Sequence, residues 1–317
     1  MSTNVVVLTG ARGEQLGATI SGGQIVHDPD ELRARVRGPR AIALVDVDML
    51  EQVERLHLAV PVVALVHPPA TATTIELLTK YPWLSNVAST ALWGTRFSRD
   101  YLDGLLDPLP AACPPRIMGD QAVGRAARLA MASRRTERFE RMDEFFLRNG
   151  ISERTVGVLD DLAEELVLNA LYDAPLEAKY FRQPVPRTTD VELPSNLACE
   201  ISYGVGNGHA FLRVRDPFGA LTRNRLLSVL ARCATGNVSI DETRGGAGLG
   251  MWRVFSAATS MELVVVPGEL TELTITLAAE RRAARQLLWL TLRFDREQPA
   301  MPLDAFDNSI TLANCAP

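Results

Sequence analysis

The sequence predicts two domains of different class, an N-terminal α/β domain built on a parallel sheet and a C-terminal α+β sandwich. Three observations carry this. At 317 residues the chain holds about two domains of ordinary size. Its first hundred residues alternate fully apolar runs with helical patterns, the mark of a parallel sheet covered on both faces. Beyond residue 150 the order changes to helix, hairpin, helix, glycine loop, helix, hairpin, which places helices against one mixed sheet.

In the first domain, taken as residues 1–104, strands are expected at 4–9, 24–26, 41–45, 61–66 and 86–89. Helices are expected between them at 28–36, 49–58 and 73–80, the first capped by Asp28 with Pro29 at its first position. Residues 105–150 read as a connector. Pro108, Pro110, Pro114 and Pro115 exclude a helix over 106–119, and a long helix follows over 120–149, closed by Gly150. That helix is charged on most faces and suits a connector or a homodimer seam. The second domain spans 151–297, with a tail at 298–317. Ser152 caps a helix running through Tyr172, with Pro175 beyond its end. Residues 198–203 and 210–215 form a hairpin around glycines, 221–234 a helix, 251–258 another, and 261–266 with 272–277 a second hairpin turned at Pro267-Gly268. Residues 286–294 read as an extra strand or docking element.

Composition narrows function. With 47% hydrophobic and 22% charged residues the chain reads as globular, and a net charge of −5 argues against a general nucleic-acid binder. Cys113, Cys199, Cys233 and Cys315 lie far apart, with no zinc spacing. The N-terminus lacks a basic stretch before its apolar run and no apolar run reaches the length of a membrane span. A cytoplasmic location without membrane contact is therefore expected.

Three pieces of the second domain carry chemistry. Glu165, Asn169 and Asp173 are spaced four apart beside an apolar stripe and so line one helix face, an arrangement of oxygen donors that suits Mg²⁺ and also fits a partly exposed polar face. Asp216-Pro217-Phe218-Gly219 follows a strand. Asp216 there can accept from an exocyclic amine and Gly219 lets backbone approach a flat base; the same residues also make an ordinary β-turn. Arg244, Gly246, Gly248, Leu249 and Gly250 form a glycine loop ahead of a helix, whose N-terminal N–H groups suit phosphate; the GK[ST] of a P-loop is missing.

Taken in order, ExxxN, DxxG and GxGxG resemble the N, G1 and G2 boxes of the GHKL ATPases, the group of DNA gyrase, the ninety-kilodalton heat-shock chaperones, histidine kinases and anti-sigma-factor serine kinases. The resemblance covers about residues 150–280. It implies an ATPase-type sandwich in which Asn169 chelates Mg²⁺, Asp216 reads adenine, the loop with Gly246, Gly248 and Gly250 holds the phosphates of ATP, and Glu165 is a general base. Phe218 and Ala220 stand where the G1 box usually has glycines. Of His27, His57, His67 and His209, none lies on the 120–149 segment. A histidine autokinase is therefore not expected, and the anti-sigma serine-kinase branch is the nearer likeness. The resemblance implies an ATPase or serine/threonine kinase acting on a signalling protein, of sigma/anti-sigma or two-component type; a non-catalytic adaptor on a degenerate ATPase fold is the alternative. The first domain resembles a response-regulator receiver, with Asp46 at the phosphoacceptor position. The first strand, however, ends in Leu8-Thr9-Gly10 without the acidic pair that binds metal, and the fifth lacks its usual Lys. This implies a pseudo-receiver; a plain α/β domain with Asp46 as a turn residue fits equally.

Overall fold

The computed structural model describes residues 3–10, 23–67, 71–95, 97–110, 112–235, 249–279 and 287–295. The chain is a mixed α/β protein that divides into two compact units, Met1–Ile117 with Gln286–Thr291, and Met118–Arg285 with Leu292–Pro317.

The first unit follows its sequence pattern closely. Strands β1 (Asn4–Leu8), β2 (Gln24–Val26), β3 (Ala41–Asp46), β4 (Val62–Val66) and β5 (Asn86–Ser89) lie in the order β2-β1-β3-β4-β5, and all neighbours run parallel. That is an order of doubly wound open sheets. Both faces are covered. Val5, Val7, Ile42, Leu44, Val63 and Leu65 belong to one core cluster, and the alternate residues Val6, Ala43 and Ala64 are equally buried. Helix α1 (Pro29–Arg35) starts as expected, the Asp28 carboxylate accepting from the Asp30 N–H at 2.6 Å. Helices α2 (Leu50–Glu54) and α3 (Thr71–Lys80) are also present. Helix α4 (Ser98–Leu106) carries no strong sequence signal; it is held by Leu102 in the core and by Tyr101, whose ring stacks on Trp289 at 5.1 Å. Trp289 opens strand β11 (Trp289–Phe294), and Trp289–Thr291 pairs antiparallel with β5. The expected extra strand is real, and its first residues belong with the N-terminal unit.

The second unit corrects the expected 120–149 helix. Residues 123–129 form strand β6 (Val123–Leu129), paired antiparallel with β7 (Cys199–Gly206) over its whole length. Ala and Arg favour a helix locally, but seven residues of ladder override that preference. Gly124 fits because a Cβ there would meet the Tyr203 carbonyl at 2.9 Å. Helix α5 is limited to Arg135–Arg148, and its apolar face is buried within its own unit. Phe139, Met142, Phe145 and Phe146 are buried, and the Phe145 and Phe146 rings lie 5.3 and 5.7 Å from that of Tyr203. The boundary expected at residue 150 therefore falls inside the second unit.

The rest of this unit matches its pattern. Strands β7 and β8 (His209–Asp216) turn at Asn207-Gly208, both at positive φ, as a two-residue hairpin demands. With β9 (Ser260–Val266) and β10 (Leu270–Ala278) they give the antiparallel order β9-β10-β8-β7-β6. Helix α6 (Glu153–Leu168) is capped by Ser152 and packs on α5, on β8 and on α9 (Leu249–Ala257), which in turn packs on α8 (Arg223–Ala234).

Candidate functional site

Helix α6 does not end at Tyr172. It passes into one wide π-turn over Asn169–Asp173 and continues as the short helix α7 (Ala174–Glu177), with Pro175 in its first turn. Pro175 has no N–H to return to the Leu171 carbonyl, and its ring crowds that carbonyl; the wider turn absorbs both. The turn carries Asn169 and Asp173 one after the other beneath Glu165.

These three side chains do converge, and they converge on a cation. The guanidinium of Arg187, from the chain that follows α7, donates to Asn169 Oδ1 at 3.2 Å and to Asp173 Oδ2 at 2.8 Å, and lies 3.6 Å from Glu165 Oε2. All but Asn169 are charged, with side chains between about a quarter and a third exposed. Burial pushes the Asp173 carboxyl upward, and Arg187 pulls it back. Planar and five-donor, a guanidinium spreads its N–H groups in a fixed fork over two terminal nitrogens and so reaches acceptors farther apart than a compact ammonium does. Sequence spacing identified the three acceptors. It missed Arg187, which lies 18 residues from Asn169 in a proline-rich stretch with no local signal.

Gly250 completes this corner. A Cβ on it would sit 2.2 Å from Glu165 Oε2 and 2.7 Å from Cδ, so the carboxylate rests directly against the first turn of α9. Leu249 opens the same turn and is exposed. The free N–H groups of that turn favour negative charge beside them. Arg244, Gly246 and Gly248 lie outside the described residues.

Asp216 ends β8, 7% exposed, and its Oδ1 accepts from the Phe218 N–H at 2.9 Å. Burial pushes its carboxyl up to about 6, against the opposing effect of the Phe218 and Gly219 N–H groups. Gly219 is required by its own neighbours. Its φ is +55°, and a Cβ would meet the Val266 carbonyl at 2.0 Å and the Gly268 nitrogen at 2.8 Å, so the β9–β10 turn fills the space. Phe218 is buried, its ring 6.1 Å from that of Tyr180.

Oxygen donors of this kind fit Mg²⁺. Among the described residues, however, no group of three or more His, Cys, Asp or Glu side chains is arranged to hold a metal alone. A metal here would rest on Asn169 and on oxygens from a bound phosphate, and would take Arg187's place. In the first unit, Asp46 ends β3, Thr9 is fully buried after β1, and His67 Nδ1 lies 2.6 Å from Thr90 Oγ1 beyond β4 and β5. Among the described residues no helix is long and apolar enough to cross a membrane. Compared with known families and curated proteins, the chain matches no family model and no curated sequence.

Proposed function

We propose that the second unit is an ATP-binding module of the GHKL type, serving a cytoplasmic signalling protein as an ATPase or serine/threonine kinase. The observation that carries this reading is that Glu165 rests against the first turn of α9 at Gly250 and shares Arg187 with Asn169. Asn169 holds Mg²⁺ in this reading, the α9 turn and the loop before it hold phosphates, and Asp216 meets the adenine amine. Mg²⁺ supplies charge neutralisation between the phosphates. Glu165, one turn above Asn169, takes the proton from an attacking water or hydroxyl. Arg187 neutralises the same donors when nucleotide is absent, so binding exchanges one cation for another.

The first unit then serves as a pseudo-receiver, a surface for protein contacts. Asp46 has an acceptor's position, while β1 runs into Leu8, Thr9 and Gly10, none of them acidic. A second reading, an adaptor without turnover, is favoured by one feature: Arg187 already satisfies Glu165, Asn169 and Asp173.

Calorimetry of the full chain with Mg·ATP separates the two. The nucleotide reading expects saturable binding that Asp216→Asn weakens by about 1.5–3 kcal/mol, the worth of a hydrogen bond to a charged group. Silence at millimolar ATP would leave the adaptor. Undiminished binding in Asp216→Asn would put the base elsewhere.

A further inference from the structure

We infer that the open edge of β6, with the arginines of α5 beside it, is a docking site for an extended acidic segment of a partner protein, which adds to the sheet as a further strand. This does not rest on the nucleotide reading.

Strand β6 stands last in its sheet, and among the described residues no strand pairs with its outer edge. Its residues 123–126 are exposed, Val123 by 48%. The N–H and C=O groups that alternate residues of this seven-residue strand turn to its outer edge are a template for another strand unless something guards them. No proline or bulge does so here, and Gly124, Ala126 and Ala127 leave the edge open to close approach. The guards are Arg125 and Arg128, the second already 4.0 Å from Glu200 of β7. Those charges select a partner as well as protect. A second copy laid along this edge would bring arginine toward arginine, whereas an acidic strand would meet opposite charge.

The groove between β6 and α5 points the same way. It consists of two hollows that share Arg125 and Arg141, one lined also by Glu144, Phe145 and Arg148, the other by Arg138 and Tyr203. Glu137 pairs with Arg141 at 2.5 Å, and Glu144 with Arg148 at 3.0 Å. Among the described residues neither Arg125 nor Arg138 pairs with a carboxylate. Arg125 lies over the Phe145 ring, 5.5 Å from its centroid, and Arg138 Nε is buried with no acceptor. At Arg125 an incoming carboxylate meets a guanidinium that no described carboxylate already holds. Register fixes which residues of the partner supply it. Arg125 stands opposite Tyr203 and Ala127 opposite Ile201, on the sheet face where Tyr203 meets Phe145. On an added strand, every second side chain faces that groove. The segment recognised here is therefore acidic at alternate positions, with β-formers between.

Fluorescence anisotropy of the full chain tests this with a labelled peptide in which Glu alternates with Val and Thr. Two controls accompany it, a Lys-for-Glu peptide and the acidic peptide N-methylated at alternate residues. The acidic peptide is expected to bind, and to weaken at least about tenfold when salt screens the charges. The Lys peptide is expected not to bind, and N-methylation to weaken binding at least about tenfold by removing the strand's donors. Charge reversal at Arg138 and Arg141 together should weaken it by at least about tenfold. The N-methylated control decides the matter in wild-type protein should that variant misfold. Equal binding of the Lys or N-methylated peptide overturns the proposal, as does failure of the acidic peptide at millimolar concentration. A dimer in sedimentation that excess peptide leaves intact, and that charge reversal dissociates, would assign the edge to a second copy instead.

Discussion

The two units bury polar groups differently. In the first, the buried polar side chains among the described residues are Thr3, Thr9, Thr74, Asn86, Ser89 and Thr291, every one neutral. In the second, Arg213 and Asp216 are buried at 6% and 7% exposure, and Arg187 is enclosed between two carboxylates and an amide. A parallel sheet covered on both faces has no room for charge without a large desolvation cost. The second sheet accommodates charge by pairing it: Arg213 donates from Nε to Thr274 Oγ1 at 2.9 Å and lies 3.8 Å from Glu272. Buried charge held by geometry is frequent at functional sites, and the second unit is the one that has it.

The sharpest way to break that comparison is turnover. A general base contributes about 10²–10⁴-fold. Glu165→Gln keeps shape and removes the base, so ATP hydrolysis or protein phosphorylation should fall by that factor with nucleotide binding near wild type. Asp46→Asn, the matching change in the first unit, should leave the rate unchanged. A rate that survives Glu165→Gln but is lost in Asp46→Asn would move the chemistry to the wrong unit.

A smaller effect, of order 2–3 kcal/mol, concerns Asp216 and pH. Burial pushes its carboxyl up to about 6 in the folded chain, from an ordinary value of 3.8. Between those values the folded state holds the proton more tightly than the unfolded one. Stability should therefore fall as pH rises from about 4 to about 6, and stay lower above that window. Asp143, also pushed up to about 6 by burial and by Asp160, adds to the same slope. Comparison with Asp216→Asn, measured by urea unfolding across this range, isolates the Asp216 share. The variant should lose that share of the slope and be more stable than wild type at pH 7, while binding nucleotide less well. Such a trade is expected of a charge kept for function. A variant less stable at pH 7 would mean that the turn at Phe218 needs the ionised oxygen.

How much of this was legible in the sequence follows from the range of the forces involved. The β3 and β4 runs and the Asp28-Pro29 start of α1 are local, and the structure has them within a residue or so. The spacing of Glu165, Asn169 and Asp173 is local too, and the three side chains do meet. Strand β6 was not legible, because Gly-Arg-Ala-Ala-Arg has helical propensity and only the ladder with β7 makes it a strand. Arg187 was not legible, since nothing near it in sequence says where its side chain goes. Gly219 was legible as a needed glycine, and the β9–β10 turn some fifty residues on, which no local pattern reveals, already requires it.

The smallest expected effect tests that distinction between local and long-range signals. Each unit has a helix cap read from sequence. Asp28 holds the Asp30 N–H at 2.6 Å, and Ser152 holds the Thr155 N–H at 3.3 Å. Replacing either by Ala should cost about 1 kcal/mol in urea unfolding. A cap needs only an acceptor at the right distance, so it is portable. Asp28→Ser and Ser152→Asp should each stay within a few tenths of a kcal/mol of wild type. Arg187 is the opposite case, because its role depends on a planar fork reaching three acceptors, Glu165 on α6 and Asn169 and Asp173 in the π-turn. Arg187→Lys keeps the charge and should still lose most of what Arg187→Ala loses. If Lys proves as good as Arg there, charge alone satisfies Glu165 and Asp173. The corner would then be an ordinary ion pair rather than a shaped one, and the contrast between the units would reduce to how much charge each one buries.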